Sequence, residues 1–155
     1  GADINYMRSD KRKPNPIDYG FVGDVREVNT DILADLIARG IVPVLSPITH
    51  DGKGNLLNTN ADTIAQEAAV ALAKRFDVSL IYCFEKDGVL KDENDDSSVI
   101  PLITKTDFEA YKADGTISGG MIPKLDNAFT AISKGVKEVV ITSANHILSG
   151  GTKIK

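Results

Sequence analysis

"ADTIAQEAAVALAKRFDVSLIYCF", residues 61–84, carries the two periodicities that decide the architecture. Ala61, Ile64, Ala65, Ala68, Ala71, Leu72 and Phe76 recur at helical spacing, which predicts a helix over 61–76 with one apolar face. Small residues dominate that face and imply close packing against a sheet. "VSLIYCF", 78–84, follows as a continuous apolar run, the pattern of a strand buried on both faces. The alternation recurs on either side. Upstream, "DYGFVGDVREV" (18–28) reads as a strand or strand pair, with close approaches or bulges at Gly20 and Gly23. Thr30 then caps a helix carrying Ile32, Leu33, Leu36 and Ile37 and ended by Gly40. "IVPVLSP" (41–47) predicts a short buried strand, and "THDGKGN" (49–55) a turn that places His50 on a surface loop. Downstream, "TKTDFEAYKADG" (104–115) predicts a short helix and "GGMIPKLDNAFTAISKGV" (119–136) a stronger one. "KEVVITS" (137–143) predicts a buried strand, and "GGTKIK" (150–155) a final extended segment. Strands alternating with helices give an α/β fold with a mainly parallel sheet sandwiched by helices.

Composition narrows the function. The 155 residues suffice for a sizeable core, with 42% hydrophobic and 26% charged residues. Eighteen basic side chains against 22 acidic ones give a net charge of −4, so the chain offers no electrostatic footprint for nucleic acid or an anionic membrane. The one basic run, Lys11–Lys13, reads as solvated loop, and residues 1–16 show no apolar period. Cys83 is the single cysteine, so neither a disulfide framework nor a thiolate metal site is expected; it reads as a small buried strand residue in a reducing cytoplasm. No apolar run reaches the roughly 18 residues of a membrane span.

Three segments offer chemistry. "DENDD" (92–96) begins like a calcium loop but lacks the glycine at its sixth position and carries Ile103 at its twelfth, so it reads as a solvated loop and no metal site is assigned. In "SGGMIPK" (118–124) two glycines precede a helix whose first turn accepts Pro123 and carries Lys124 but no acid. A cation at a helix N-terminus is locally unfavourable, and an external anion such as phosphate would complete it. A plain glycine loop with a solvated lysine is the other reading. In "LLNTNADTIA" (56–65), Asn58, Asn60 and Asp62 exceed what capping requires, although Thr59-x-x-Asp62 fits a capping box. At the end of a βα connection such side chains project where open α/β sheets bind ligands. Capping and ligand contact both stand.

Together these segments resemble the amino acid kinase family, with its carbamate kinase-like fold. The match is carried by "NTNAD" (58–62), "GVL" (88–90) and "GGMIPK" (119–124), and extended by "GAD" (1–3), "GFVGDV" (20–25) and "GTKI" (151–154). Within the family the pattern is most similar to the branch that transfers the γ-phosphoryl of ATP, carried with Mg²⁺, to the side-chain carboxylate of N-acetyl-L-glutamate in arginine biosynthesis. The resemblance implies that residues 1–76 finish an amino-acid lobe and 77–155 form a nucleotide lobe. It also implies a further N-terminal stretch bearing a glycine-rich loop and a catalytic lysine, without which the isolated chain would be inactive.

Carried over by position, Asn58 contacts the acyl-glutamate with Asn60 beside it. Asp62 orients the lysines around the transferring phosphoryl, and Lys124 stabilises the transition state. The nucleotide is surrounded by Glu85, Lys86, Asp87, Gly88, Val89 and Leu90 on one side. Thr116, Ile117 and Ser118 face it from the other, with the amides of Gly119 and Gly120 at the phosphates. Glu85 departs from the Asp frequent there in the family. The resemblance further implies a cytoplasmic homo-oligomer. N-succinylglutamate is the alternative acceptor, and kinases acting on aspartate, glutamate or UMP are the nearest relatives in reaction. A non-catalytic nucleotide-binding module is the alternative of a different class.

Overall fold

The computed structural model describes residues 7–11 and 18–155. The "GAD" match and the Arg12 and Lys13 part of the basic run lie outside the described residues. The chain divides into two compact units, Gly1–Leu72 and Ala73–Lys155.

In the first unit a four-stranded sheet has the order β2-β1-β3-β4. Its strands are β1 (Met7–Lys11), β2 (Gly23–Val28), β3 (Ile48–His50) and β4 (Leu56–Asn58). β1 was hidden in the aperiodic start because its inward positions are Met7 and Ser9, and a serine does not read as core. Ser9 is fully buried because Thr49 Oγ1 donates to its hydroxyl at 2.8 Å, and Thr49 also meets Thr59 at 2.9 Å. This buried hydroxyl chain ties β1, β3 and the end of β4 together. Gly23 shows why a glycine was needed: a Cβ there would lie 2.8 Å from that of Leu57 and 2.9 Å from that of Ser9. The register shifts opposite the Arg8–Ser9 step, where the partners are Glu27 and Val25, so the extra residue is Arg26 of β2 and not a glycine.

The cap of α1 (Thr30–Ala38) is Asn29, one residue before the expected Thr30: Asn29 Oδ1 accepts from the Ile32 N–H at 3.2 Å. α2 (Ala61–Leu72) packs Ile64 and Ala68 onto Met7, with Val25, Val28 and Leu45 around them. It stops at Leu72, leaving Phe76 outside and 40% exposed. The predicted strand 41–47 is absent: Val42 and Val44 are 82% and 91% exposed. Pro43 and Pro47 cannot donate to a ladder, and no described strand pairs with the segment. His50 ends β3 and its Nδ1 accepts from the Gly52 N–H at 3.0 Å, so it holds the hairpin turn.

The second unit contains β5 (Ser79–Phe84), β6 (Leu102–Ile103), α3 (Lys105–Asp114), α4 (Met121–Ser133), β7 (Glu138–Ser143) and β8 (Thr152–Ile154). Its sheet order is β5-β7-β8-β6. β7 is central and almost wholly buried, as its sequence predicts. α4 lays Leu125, Ala128 and Ala131, all fully buried, toward β7 and β8. The two alanines let the helix lie close to the sheet. Phe108 of α3 stacks on Phe129 of α4 at 5.4 Å. β5 alternates where a fully buried run was expected: Leu80 and Tyr82 are buried, whereas Ser79, Ile81 and Cys83 are exposed. It is an edge strand in this sheet, with one covered face among the described residues.

The α/β class holds, but strand direction is mixed. β1–β3, β5–β7 and β6–β8 run parallel, whereas β1–β2, β3–β4 and β7–β8 run antiparallel. The mainly parallel expectation missed the hairpin β3–β4, whose strands are three residues each, and the short return strand β8. Short connections force antiparallel neighbours, whereas parallel pairs need a crossover.

α3 begins with a capping box: Thr104 Oγ1 accepts from the Asp107 N–H at 3.2 Å, and Asp107 accepts from the Thr104 N–H at 2.9 Å. Gly115 closes the helix in the left-handed region, φ 82°. Thr104→Ala is expected to destabilise the protein by about 1 kcal/mol, read from urea denaturation. The Thr104 hydroxyl and backbone N–H hold the Asp107 carboxyl below its ordinary 3.8. The box therefore contributes fully above that value and weakens as pH falls through the lower folded-state one.

Candidate functional site

β5 delivers Phe84 to the end of its sheet, and the chain then turns through Glu85–Leu90. This loop is tightly held. The Val89 N–H donates to buried Thr152 Oγ1 at 2.8 Å, and the Val89 carbonyl accepts from the Ile100 N–H at 2.8 Å. Across from it, the link between α3 and α4 is fixed by the Ile117 N–H donating to the Tyr111 carbonyl at 3.0 Å. The Thr116 N–H donates to Asp114 Oδ1 at 2.9 Å. The two stretches, some thirty residues apart in sequence, face one cavity of about 520 Å³, within the usual range for small-molecule sites. Phe84, Val89, Leu90, Ile117 and Met121 make its apolar wall. Glu85, Lys86, Glu93, Thr116 and Ser118 supply polar groups.

Of the residues expected at a nucleotide, Glu85, Lys86, Gly88, Val89, Leu90, Thr116, Ile117 and Ser118 line this cavity. Asp87 does not. Its carboxylate turns to His146 Nδ1 at 2.8 Å, and Ser143 Oγ lies 3.3 Å from the same nitrogen. The Ser143 hydroxyl and then His146 hold the Asp87 carboxyl below the ordinary range. Lys86 pairs with Asp96 at 2.6 Å, which raises its pKa. Asp92 and Asp95 of the acidic loop accept from the N–H groups of Asn94 and Ser97 within that loop.

Gly119 and Gly120 lead into α4 with open space around both; Gly119 has φ 54° and Gly120 is the N-cap without a side-chain cap bond. No acid stands in the first turn. Lys124, one turn in, is half-buried, and its Nζ sits 3.6 Å from the centroid of the Phe84 ring. The cation thus lies over the ring of Phe84, a lining residue, although Lys124 itself does not line the cavity. Phe84, Glu93 and Met121 were not foreseen as lining residues. The first and last were visible as a strand terminus and part of the glycine motif, whereas Glu93 was masked by its acidic run.

In the first unit, Asn60 Oδ1 accepts from the Thr63 N–H at 3.1 Å and the Asn60 carbonyl from the Ile64 N–H at 3.0 Å, so Asn60 caps α2. Thr59 is not the cap: its hydroxyl meets Thr49, and its N–H donates to the Pro47 carbonyl. Asp62 stands half-buried in the first turn of α2. Asn58 is exposed at the end of β4, its N–H bonded to the Phe21 carbonyl at 2.8 Å. No helix among the described residues is long and apolar enough to cross a membrane.

Known proteins were compared with this chain. It is 64% identical over 156 aligned residues to acetylglutamate kinase of Bacteroides thetaiotaomicron, an alignment covering 100% of the chain and 61% of that relative. The chain therefore spans about three-fifths of the length of the curated relatives it matches. A crystal structure of smu.665 from Streptococcus mutans UA159 superposes with a TM-score of 0.79 at 31% identity, over 97% of this chain and 56% of the other. Carbamate kinase from Giardia lamblia bound to AMP-PNP superposes at 0.63 and 17% identity, over 86% and 51%, and shares the fold. Residues 2–143 match the pattern of the amino acid kinase family. With that match running through both units, the chain belongs to the amino acid kinase family.

Proposed function

We propose that this chain provides the nucleotide site, and part of the acyl-amino-acid site, of a kinase that phosphorylates the side-chain carboxylate of N-acetyl-L-glutamate with ATP. The observation that carries this reading is the convergence of 85–90 and 116–118 on one cavity, beside a helix N-terminus with no acid and with Lys124 over the ring of Phe84, one of the lining residues. The similarity to proteins named acetylglutamate kinase supports N-acetyl-L-glutamate as the acceptor.

The apolar wall of Phe84, Val89, Leu90, Ile117 and Met121 suits a flat base. The open Gly119–Gly120 approach suits phosphates, whose charge complements the helix dipole. The acceptor carboxylate is already ionised at neutral pH, so no general base is needed. Its oxygen forms a bond to the γ-phosphorus as the bond to the β-bridging oxygen breaks, giving an acyl phosphate and ADP. The demand on the protein is to offset repulsion between anions and stabilise charge on the transferring group. Lys124 supplies a cation for that task. Mg²⁺ would accompany the nucleotide. Mg²⁺ is commonly held by phosphate oxygens and water; when bound it would offset phosphate charge.

In the first unit, Asn58 and Asn60 are the proposed acyl-glutamate contacts and Asp62 the acid that organises the catalytic cations. Asp62→Asn leaves the Asn60 cap of α2 in place and is expected to lower turnover about tenfold. Unchanged turnover would reduce Asp62 to a helix residue. The reaction itself is tested by trapping acyl phosphate with hydroxylamine. Hydroxamate formed from N-acetyl-L-glutamate and Mg-ATP supports the assignment. Product from N-succinyl-L-glutamate, aspartate or UMP in its place reassigns the acceptor.

A further inference from the structure

Besides the Ile100 N–H on the Val89 carbonyl and the Lys86–Asp96 pair, the loop 85–90 has two attachments to residues that follow β7. Asp87 Oδ1 meets His146 Nδ1 at 2.8 Å, with Ser143 Oγ 3.3 Å from that nitrogen. Two residues on, the Val89 N–H donates to Thr152 Oγ1 at 2.8 Å. Between them Gly88 is enclosed: a Cβ would lie 2.7 Å from both Thr152 Oγ1 and Val99 Cγ1. His146 stands on a firm base, since its carbonyl accepts from the Ser149 and Gly150 N–H groups at 3.0 Å each.

Ser, His and Asp in one cluster invite comparison with a hydrolytic triad, but the geometry excludes it. Serine and carboxylate approach the same imidazole nitrogen, whereas a triad uses opposite nitrogens. Nδ1–H donates to Asp87 and cannot also accept the serine proton. The cluster is a tether. Asp87 does not line the cavity, yet its neighbours Glu85, Lys86 and Gly88 do. The pair is about half exposed, 48% for His146 and 51% for Asp87, and exposed pairs contribute little to global stability.

We propose that His146 is a positioning residue for the nucleotide, holding Asp87 so that the loop stands ready on its side of the cavity while Thr152 fixes Val89. The proposal rests on the kinase reading above. Releasing the loop lowers the fraction of molecules competent to bind, and apparent affinity falls by that fraction.

The test is the Kd of Mg-AMPPNP, by titration calorimetry, for the wild type, His146→Ala and His146→Asn, each with its melting temperature. Asparagine places an amide N–H where Nδ1–H stands. His146→Ala is expected to weaken binding about fivefold to tenfold, and His146→Asn to remain within about twofold of wild type. The melting temperatures should agree within about 2 °C. Wild-type affinity in His146→Ala, or equal weakening in both variants, overturns the tether. Absence of binding in the wild type overturns the kinase reading and the tether together. If His146→Ala fails to fold, Asp87→Asn and Thr152→Val replace it. Weaker Mg-AMPPNP binding in both supports the two-point attachment, and wild-type affinity in both overturns it.

Discussion

Replacing Lys124 with alanine is expected to lower turnover by about 10²–10³, the loss typical of one charge-stabilising contact at a reacting group. The fold should tolerate the change. Lys124 stands near the N-terminal end of α4, where a cation is unfavourable to the helix dipole by about 0.3–1 kcal/mol, so the helix loses little. What it does lose is the ammonium over Phe84, 3.6 Å from the ring centroid, an interaction of about 0.5–2 kcal/mol. If Lys124 acts only as charge builds on the transferring phosphoryl, kcat and kcat/KM fall together and nucleotide KM stays put. A rise in KM alone would mark Lys124 as a ground-state phosphate contact. Unchanged kinetics would make it a solvated lysine on an aromatic.

Gly88→Ala is the second large effect, and its signature is the opposite one. The new methyl would lie 2.7 Å from Thr152 Oγ1 and Val99 Cγ1. Thr152 is fully buried and its hydroxyl already accepts the Val89 N–H. Either Thr152 moves and leaves that N–H unpaired, or residues 85–90 shift into the cavity. Overpacking of this kind costs about 1–3 kcal/mol. Nucleotide affinity should fall by about 10- to 100-fold, with little change in the KM for the acyl-glutamate. Parallel loss for both substrates would point to general unfolding, and wild-type nucleotide affinity would show that the loop takes no part.

These two residues also show what was legible in the sequence. α3, α4, β7 and β8 were visible because period and caps agree: Thr104 and Gly115 bound one helix, and "KEVVITS" is apolar enough to be a central strand. β1 was not, because Ser9 is buried by hydrogen bonding and not by hydrophobicity. "IVPVLSP" and Cys83 erred the other way, since an apolar run reports what prefers burial, and Val44 at 91% exposure has no described partner to provide it. The same limit applies to the site. Glycines before Met121 and a lysine without an acid were readable as an anion-seeking helix start. That 85–90 would face 116–118 came from family resemblance, since no local period encodes it. His146 and Asp87, 59 residues apart, left no mark in the sequence, because the hydrogen bond between them exists only after β5 and β7 have paired.

The central claim is that the cavity between 85–90 and 116–118 takes the nucleotide. Hydrogen–deuterium exchange with and without Mg-AMPPNP tests it most directly. The account predicts slowed exchange in peptides covering 84–90 and 116–122, including the Gly119 and Gly120 amides. Unchanged exchange in those peptides at saturating nucleotide, or protection confined to residues 18–72, would contradict it.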